Sequence, residues 1–273
     1  MKIAVILTCF NRKEKTENCI RNIVNGNPSH DFSIVVVDDD SSDGTPELIG
    51  QMKQEYKIHL LQSGGDAYYS GGMRIGMRYV LEELKESFQY VLLVNDDVLF
   101  YDGAIEKIIE QSRGQNQAVI VGATCDDAGK LSYSAIKYTK GISYKKLAVT
   151  EWETNADTFN ANCVLIPWDI FKRTGVIDEK YVHSLGDFDY GLDMKRKGAV
   201  LHVSKEYVGV CNNNPVKNTW TDTSLGMRER IRKKENVKGA PTKQWFYFLN
   251  KNFGLFTAIK GSITPYIRII IGR

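Results

Sequence analysis

The sequence predicts an α/β fold in which helices flank a mostly parallel sheet, with a helical appendage at the C-terminus. Two observations predict this. Apolar and β-branched runs alternate with helical patterns over the first 125 residues, and this order requires right-handed crossovers between parallel strands. Polar or glycine-rich motifs also follow several of the predicted strands, and ligands of such sheets bind beyond the carboxyl ends of the strands.

The strand predictions rest on residue type and run length. Ile3–Thr8 is a continuous apolar run, which is typical of a strand buried on both faces. Ser33–Val37 is rich in β-branched residues, which favour strands. Further strands are predicted at Lys57–Leu61, Tyr90–Val94, Ala118–Gly122, Phe159–Ile166, Ala199–Val203 and Tyr207–Val210.

Helices are predicted between these strands. Thr45 offers an N-cap and Pro46 suits the first helical turn, so a helix begins there and runs to about Glu55. The other predicted helices are Lys13–Val24, Gly72–Glu86, Gly103–Ser112, Trp168–Thr174 and Asp187–Lys197. Between Cys125 and Thr158 the pattern weakens, and we expect a loop-rich or antiparallel insertion there.

Charge and cysteine content limit the class of protein. Residues 216–273 contain 12 Lys and Arg against 3 Asp and Glu, a net charge of +9, so residues 1–215 carry −6 of the total of +3. No apolar run approaches the roughly 18 residues that a membrane-spanning helix needs. The cysteines are odd in number and form no CxxC pair. This argues against a disulfide framework and for a reducing, cytoplasmic compartment.

An acidic motif follows the second predicted strand. Asp38 and Asp39 belong to three adjacent carboxylates, which repel one another and therefore favour a binding partner. A carboxylate can accept the imide N–H of uracil or thymine, or a ribose hydroxyl. An EF-hand calcium loop is disfavoured, because its glycine and glutamate positions hold Asp43 and Ile49. The structural alternative is a solvated turn that caps the next helix.

A second polar motif, Asn95-Asp96-Asp97, directly follows the apolar run Tyr90–Val94. Its carboxylates are therefore expected at the edge of the sheet, in an open cleft. Hard oxygen ligands suit Mg²⁺ or Mn²⁺, and the phosphate oxygens of a bound donor would fill the remaining positions. The alternative is a pair of carboxylates that merely caps the following segment.

Two loops are candidates for binding a nucleotide. The loop after the first strand carries Thr8, Asn11 and Arg12, whose polar groups can face a base or a ribose. The second loop is glycine-rich and is expected to lead into a helix, whose N-terminal N–H groups suit a diphosphate. Its candidate residues are Gly65, Asp66, Gly72 and Arg74, the last as a fixed charge for phosphate. On its own, either loop is more often only a connection.

A carboxylate far along the chain is the candidate general base. Asp187 lies at the start of a predicted helix, where acidic side chains are ordinarily favourable partners of the helix dipole. Placed beside a bound donor, the same carboxylate can instead remove a proton from an acceptor hydroxyl.

In this order the motifs resemble the family-two glycosyltransferases of the GT-A fold, a Rossmann-like architecture. The resemblance covers about residues 1–210, and its carriers are Thr8 to Arg12, Val36 to Asp39 with Ser41 to Thr45, Asn95 to Asp97, and Gly186 to Asp189. It implies an enzyme that moves a sugar from a nucleotide-diphosphate donor with inversion at the anomeric carbon. Among relatives the chain looks most like the rhamnosyltransferase-type enzymes of bacterial surface polysaccharide assembly.

The resemblance also implies roles for particular residues. Asp39, with Asp38 beside it, would contact the base or ribose, and Thr8 and Asn11 would line the same pocket. Asn95 and Asp97 would occupy the outer positions of a DXD motif that holds Mn²⁺ or Mg²⁺, with Asp97 as the main ligand. Asp187 would be the general base. Arg12, Gly65, Asp66, Gly72, Arg74 and Asp96 complete the predicted nucleotide-binding set.

Three positions depart from the family pattern. Asn95 stands where the motif usually has Asp, which removes one negative charge from the metal site. Gly186 replaces the acidic residue that often precedes the base. Cys211 falls near the place where a His often completes the metal site. The nearest His, His202, lies in a predicted strand and is expected to be a packing residue, so the third ligand stays open between these two side chains and water.

The expected organisation is a glycosyltransferase domain over residues 1–215 and a basic, aromatic helical segment over residues 216–273. Within the domain, residues 1–125 would bind the nucleotide and residues 126–215 the acceptor. Basic charge with aromatic residues suits an anionic membrane surface, where a polyprenyl-linked acceptor would lie. The alternative is a helical pair that packs on the domain. No nucleic-acid-binding module is recognised.

Two other functions are weighed. A sugar-nucleotide pyrophosphorylase would carry a glycine- and arginine-rich loop after the first strand, and Thr8–Lys13 contains no glycine. The three departures motivate a catalytically inactive protein that binds a sugar nucleotide or a glycan. The favoured interpretation is a metal-dependent transferase that uses a dTDP- or UDP-sugar, with dTDP-rhamnose as one candidate, and a glycan or lipid-linked acceptor.

Overall fold

Strands and helices alternate along the first 125 residues of the computed structural model, which describes residues 1–84 and 86–272. The strands are β1 (Lys2–Cys9), β2 (Asp31–Asp38), β3 (Ile58–Gln62), β4 (Tyr90–Val94), β5 (Leu99–Phe100), β6 (Val119–Cys125), β7 (Ala135–Lys140), β8 (Ser143–Lys146), β9 (Thr158–Phe159), β10 (Cys163–Pro167) and β11 (Leu201–Val210). The helices are α1 (Lys13–Asn25), α2 (Thr45–Met52), α3 (Tyr68–Glu82), α4 (Ala104–Gly114), α5 (Trp168–Thr174), α6 (Gly186–Arg196), α7 (Met227–Lys234), α8 (Thr242–Phe253) and α9 (Leu255–Ile270).

The main sheet has the order β3-β2-β1-β4-β10-β6-β11-β5. Strands β3, β2, β1 and β4 run parallel, and β10 lies antiparallel between β4 and β6. In this register Cys9 pairs with Asp38, so the carboxyl ends of β1 and β2 meet at one edge. The predicted α/β fold, a mostly parallel sheet flanked by helices, is confirmed.

A smaller antiparallel sheet lies beyond β6. Its strand order is β8-β7-β9, and both of its pairings are antiparallel. It occupies the segment between Cys125 and Thr158, where the sequence predicts a loop-rich or antiparallel insertion. Strand β9 contacts α6. Tyr138 of β7 and Tyr144 of β8 line the same cavity as Cys9 and Asp39, so this sheet lies over the carboxyl ends of β1 and β2.

Both faces of the main sheet are covered, which explains the continuous apolar runs of its strands. Ala4, Ile6, Val35 and Val37 pack in one cluster with apolar residues of α3. The alternate residues of the same strands pack in a second cluster with α1, α2 and α4. Burying each such side chain stabilises the fold by roughly 1.5–3 kcal/mol.

Several helix and strand boundaries in the structure differ from the predicted ones. The helix predicted at Gly72–Glu86 begins earlier, at Tyr68, and ends at Glu82; residue 85 of the predicted range lies outside the described residues. The strand predicted at Phe159–Ile166 is two strands, β9 and β10, which belong to different sheets. The two short strands predicted after Ala199 form one irregular strand, β11, whose pairing with β6 shifts register twice.

The C-terminal helices share the core of the main fold. Phe248 and Leu249 of α8 and Ala258 of α9 belong to the same buried cluster as Ile6 and Val37. This shared core does not test the predicted domain boundary at residue 215, which stays a prediction. In the part of the chain that the structure describes, no helix is long and apolar enough to cross a bilayer.

The packing of α3 on the sheet gives a stability prediction. A Cβ at Gly76 would lie 2.6 Å from Cγ2 of Ile6 and 3.2 Å from Cγ2 of Val37. We expect Gly76→Ala to lower the free energy of unfolding by about 1–3 kcal/mol, because an added carbon overpacks a tight interface. Urea denaturation measures the change.

Gly50 provides the matched control, because it also lies within a helix and no atom lies within 4 Å of the position that a Cβ would take there. Gly50→Ala should leave the free energy of unfolding unchanged or raise it by up to about 1 kcal/mol. Equal effects of the two substitutions would contradict the close approach of α3 to β1 and β2.

Candidate active site

The carboxyl ends of β1, β2 and β4 open into a cavity of about 700 Å³. The opposite wall is built by the β7–β8 sheet, the start of α6 and helix α8. Eight of the predicted site residues line this cavity: Thr8, Arg12, Asp39, Gly65, Asn95, Asp96, Asp97 and Asp187. The motifs at the strand ends and the distant candidate base therefore meet in one place.

An ion-pair network holds the motif that follows β4. Nη1 of Arg12 lies 2.8 Å from Oδ1 of Asp96 and 3.0 Å from Oδ2 of Asp97. Asp96 is buried, and burial raises its pKa to about 6, although the Arg12 guanidinium opposes this shift. Thr16 of α1 also donates to Asp96 at 3.4 Å. Asp96 therefore ties the motif to α1, while Asp97 stays partly exposed to the cavity.

Asn95 and Asp97 carry side-chain oxygens of the kind that divalent cations prefer. Oδ1 of Asn95 is buried and has no hydrogen-bond partner among the described residues, so its lone pairs are free to ligate. Oxygen is the donor that Mg²⁺ and Mn²⁺ prefer. The described residues contain no cluster of three or more His, Cys, Asp or Glu side chains suited to a metal.

The two side chains considered as a third ligand lie in different places. Sγ of Cys211 is 3.6 Å from Oδ1 of Asp97 and 3.4 Å from Nδ2 of Asn162. Burial and the neighbouring Asp97 carboxylate raise the pKa of the Cys211 thiol to about 12, so it is a protonated donor to Asp97. His202 pairs with Ile120 inside the sheet and does not line the cavity, which agrees with a packing role.

Asp38, the last residue of β2, and Asp39, the residue after it, have different structural roles. Asp38 is fully buried, and its carboxylate accepts from the backbone N–H of Ser41 at 3.0 Å, which closes the loop. Asp39 reaches the cavity, and its carboxylate accepts from the N–H groups of Ala67 and Tyr68 at 3.1 and 2.9 Å. Asp39 therefore caps the start of α3, and because Ser63 also donates to Oδ1, its carboxylate keeps an acceptor position only on Oδ2 for a base or ribose.

Five predicted nucleotide-binding residues do not line the cavity: Asn11, Asp38, Asp66, Gly72 and Arg74. The side chain of Asn11 accepts from the N–H of Ser42 at 2.8 Å and so joins two loops. Nη1 of Arg74 donates to the carbonyls of Asp178 and Tyr181, both at 3.0 Å, which makes it a structural clamp. No hydrogen bond or ion pair among the described residues involves the Asp66 side chain, and this residue is exposed.

Gly72 lies inside α3 and not at its N-terminus, so the predicted phosphate cradle is wrong at this position. A Cβ there would lie 2.4 Å from Oγ1 of Thr8, and the glycine instead permits close packing of α3 on β1. The helix starts four residues earlier than predicted because Asp39 satisfies its first N–H groups.

Asp187 lies at the N-terminus of α6, where two backbone N–H groups hold its carboxylate. Phe188 donates at 2.8 Å and Ala161 at 3.3 Å. Burial disfavours the charged carboxylate and raises the pKa of Asp187 to about 6, although these N–H groups oppose the shift. An aspartate with this pKa is ionised at neutral pH and can accept a proton.

The residues around Asp187 explain the missing acidic neighbour. A Cβ at Gly186 would lie 2.4 Å from Oγ of Ser70, so a larger side chain does not fit against α3. The preceding residue, Leu185, has a left-handed backbone with φ of 72°, which is uncommon for a residue with a branched side chain. The turn into α6 is therefore set by close contact with α3.

Aromatic side chains form the wall that faces the strand ends, and the sequence motifs do not predict them. The set comprises Tyr69, Tyr133, Tyr138, Tyr144, Phe188, Trp245 and Phe248, with Lys238 as a basic neighbour. Tyr138 and Tyr144 pack edge to face at 6.2 Å, and Tyr144 also contacts Phe188 at 5.7 Å. The abundance of Tyr between residues 125 and 158 is the signal that points to this wall.

Residues 4–173 match the family model described as glycosyl transferase family 2. The chain belongs to this family. It is therefore a glycosyltransferase of the inverting class, which confirms the activity that the ordered motifs predict. The match covers the three strand-end motifs and ends before Asp187.

Curated relatives agree with this assignment. The chain is 23% identical over 230 residues to the low-salt glycan biosynthesis hexosyltransferase Agl10 of Haloferax volcanii, covering 81% of this chain and 70% of that protein. It is 23% identical over 224 residues to the poly(ribitol-phosphate) beta-glucosyltransferase of Bacillus spizizenii, covering 76% of this chain and 34% of that protein. The chain thus spans about a third of the length of the second relative.

Solved structures share the fold. S. aureus TarS 1-349 in complex with UDP-GlcNAc superposes with a TM-score of 0.60 at 13% identity, covering 99% of this chain and 82% of that one. The mannosyltransferase PcManGT from Pyrobaculum calidifontis, in complex with GDP-Man and Mn²⁺, gives a TM-score of 0.58 at 13% identity, covering 98% and 78%. These likenesses confirm the predicted GT-A fold.

The pKa of Asp187 leads to a stability prediction. The folded pKa of about 6 exceeds the value of roughly 3.9 in an unfolded chain, so the native state loses stability as pH rises through this window. Asp187→Asn removes the buried charge. We expect the free energy of unfolding of the variant to exceed that of the wild type by about 1–2 kcal/mol above pH 6. This gap should close towards pH 4.

Urea denaturation across this pH range measures the gap. Asp169→Asn is the control, because the side chain of Asp169 is 89% exposed and its removal should shift stability by less than about 0.5 kcal/mol. A gap for Asp187→Asn that does not change with pH would show that Asp187 is not held in a desolvated environment.

Proposed function

We propose that the chain transfers a sugar from a nucleotide-diphosphate donor to an acceptor hydroxyl, with Asp187 as the general base. One observation carries this proposal: the Asp187 carboxylate and the oxygens of Asn95 and Asp97 line the same cavity. A base and a site for a leaving diphosphate are the two parts that direct displacement at a sugar carbon requires.

The donor would lie against the strand ends. Thr8, Arg12, Asp39 and Gly65 line this side of the cavity and are the proposed nucleotide contacts. A dTDP- or UDP-sugar is the proposed donor, with dTDP-rhamnose as one candidate. The neighbouring structures that hold UDP-GlcNAc and GDP-Man support a sugar nucleotide as the ligand class.

Asn95 and Asp97 would hold Mn²⁺ or Mg²⁺. Such an ion, when bound, supplies positive charge that stabilises the leaving diphosphate. Arg12 contributes a fixed positive charge at the same place, because its guanidinium contacts both Asp96 and Asp97. Asp96 is buried and would position this motif, whereas Asp97 is partly exposed and faces the cavity.

The acceptor would lie against the aromatic wall. Tyrosine, phenylalanine and tryptophan side chains pack on sugar rings or apolar chains, and their polar tips bind hydroxyl groups. A glycan or polyprenyl-linked acceptor is proposed for this wall, and the name of one relative, a poly(ribitol-phosphate) beta-glucosyltransferase, supports a polymer as the acceptor. Residues 1–125 would then bind the nucleotide and residues 126–215 the acceptor, in a cytoplasmic enzyme with peripheral membrane contact through residues 216–273.

The base is tested by kinetics. We expect Asp187→Asn to lower kcat by about 10²–10⁴-fold while the Kd for the donor stays unchanged, because the carboxylate faces the acceptor hydroxyl. In the wild type, kcat/KM should fall below pH 6, where Asp187 becomes protonated. Release of the nucleoside diphosphate measures turnover, and Asp169→Asn is the control. Parallel loss of donor binding would indicate a structural role for Asp187.

The metal site is tested by thermal shift. UDP, dTDP and GDP, each with and without Mn²⁺, should raise Tm, with Mn²⁺ adding a further increase of about 2–4 °C per kcal/mol of binding free energy. Asp97→Asn should remove the Mn²⁺-dependent part and keep most of the rest. Equal shifts in the variant and the wild type would reject Asp97 as a metal ligand.

A further inference from the structure

Helix α9 is apolar on two sides, and only one of them is covered. Ala258, Gly261, Pro265 and Ile269 are buried against the rest of the protein. The other side carries Phe256, Ile259, Ile263, Ile267 and Ile270, which we name the α9 stripe. Phe256 is 82% exposed, and the four isoleucines are between 51% and 66% exposed.

The α9 stripe forms one continuous face. Its residues recur at intervals of three and four, the spacing that places side chains on one side of a helix. Leu255 and Ile271, 59% and 56% exposed, extend this face at both ends. Soluble proteins rarely leave a contiguous apolar patch of this kind without a binding partner.

The charged residues of α9 itself are basic. Leu255–Ile270 contains Lys260 and Arg268 and no acidic residue. Arg228 and Lys243, on the adjoining helices α7 and α8, are also exposed. Among the ion pairs of the described residues, none involves Lys260, Arg268, Arg228 or Lys243. Arg268 lies over the ring of Trp220, 5.8 Å from its centroid. An exposed apolar stripe on a helix whose only charged residues are basic is complementary to an anionic bilayer surface.

Helix α9 lies directly behind the wall of the cavity. Trp245 of α8 lines the cavity, and its Nε1 donates to the carbonyl of Gly261 at 3.0 Å. Ile142, in the turn between β7 and β8, also lines the cavity and lies within 4 Å of the position that a Cβ of Gly261 would take. A surface bound by the α9 stripe would therefore be close to the proposed acceptor wall.

We propose that the α9 stripe inserts into the interface of an anionic membrane and holds the cavity at the surface where a lipid-linked acceptor is presented. The identity of the acceptor rests on the proposed function, whereas membrane binding does not. A second copy of the chain is the less favourable occupant. A symmetric contact would bring the same cations of both copies together. Residues 216–273, which include α9, have a net charge of +9, so the two copies would repel each other.

Vesicle flotation with the full chain tests the proposal. We expect binding to phosphatidylcholine vesicles that contain about one third phosphatidylglycerol, and weak binding to pure phosphatidylcholine. High salt should reduce binding in part, because it screens the basic residues and leaves the apolar contact. The probe needs no donor or acceptor, so its result does not depend on turnover.

Three variants separate the contributions. Phe256→Ser with Ile263→Ser should lower vesicle partitioning by about 100-fold, because each of the two removed side chains carries roughly one tenfold step. Lys260→Gln with Arg228→Gln should lower binding to the anionic vesicles only. Val200→Ser with Val216→Ser is the control: both valines are exposed apolar residues outside the α9 stripe, at 41% and 61% exposure, and their loss should leave binding unchanged.

Circular dichroism and donor-induced thermal shift on each variant check folding and the nucleotide site. Unchanged flotation of the Phe256→Ser and Ile263→Ser variant would overturn the proposal, as would a wild type that does not bind anionic vesicles. A wild type that is dimeric by light scattering, fails to float, and becomes monomeric in this variant would assign the α9 stripe to self-association instead. Loss of nucleoside diphosphate release with normal flotation would count against the proposed function alone.

Discussion

The close packing of α3 joins the two halves of the site. On one side, Gly72 and Gly76 let the helix approach Thr8 and Ile6 of β1 so closely that no Cβ fits between them. On the other side, Oγ of Ser70 donates to the carbonyl of His183 at 2.7 Å, and the N–H of Gly71 donates to the carbonyl of Val182 at 3.1 Å. The loop that leads to Asp187 is therefore positioned by the same helix that contacts the strand ends.

The start of this helix depends on a single carboxylate. Asp39 accepts from the N–H groups of Ala67 and Tyr68 and from Oγ of Ser63 at 2.7 Å. These groups would otherwise be unpaired at the helix end, where each lost bond costs roughly 1 kcal/mol or more. Because Asp39 also borders the cavity, a ligand that contacts it would meet a side chain that already organises α3.

Much of the fold follows from local sequence. The boundaries of Tyr90–Val94 and Trp168–Thr174 agree with the prediction, because each is an uninterrupted run with a clear end. The start of α3 does not, because Tyr68 to Gly71 are poor helix formers that are held by Asp39, which lies 28 or more residues away. Strand pairs such as β6 and β11 join distant segments, and periodicity carries no information about such pairings.

The site is less predictable than the fold, because its residues also come from segments that are far apart in the sequence. Order and spacing identify Asp187 and Asn95 to Asp97, which occupy the cavity together. Arg74 resembles a phosphate ligand in the sequence, yet the carbonyls of Asp178 and Tyr181 occupy its guanidinium. The aromatic wall is assembled from α3, β7, β8, α6, α8 and the loop residue Tyr133, so no single motif contains it.

The three departures from the family pattern form a consistent set. Gly186 is fixed by its contact with Ser70, since any larger side chain would displace α3. Near Asp97, an amide at Asn95 and a protonated thiol at Cys211 place neutral groups where the family often has Asp and His. Arg12 adds a positive charge 2.8–3.0 Å from both carboxylates of the motif. The site therefore has less negative charge than a motif with two flanking aspartates, and a divalent cation held by the proposed ligands would owe a larger share of its attraction to the donor diphosphate.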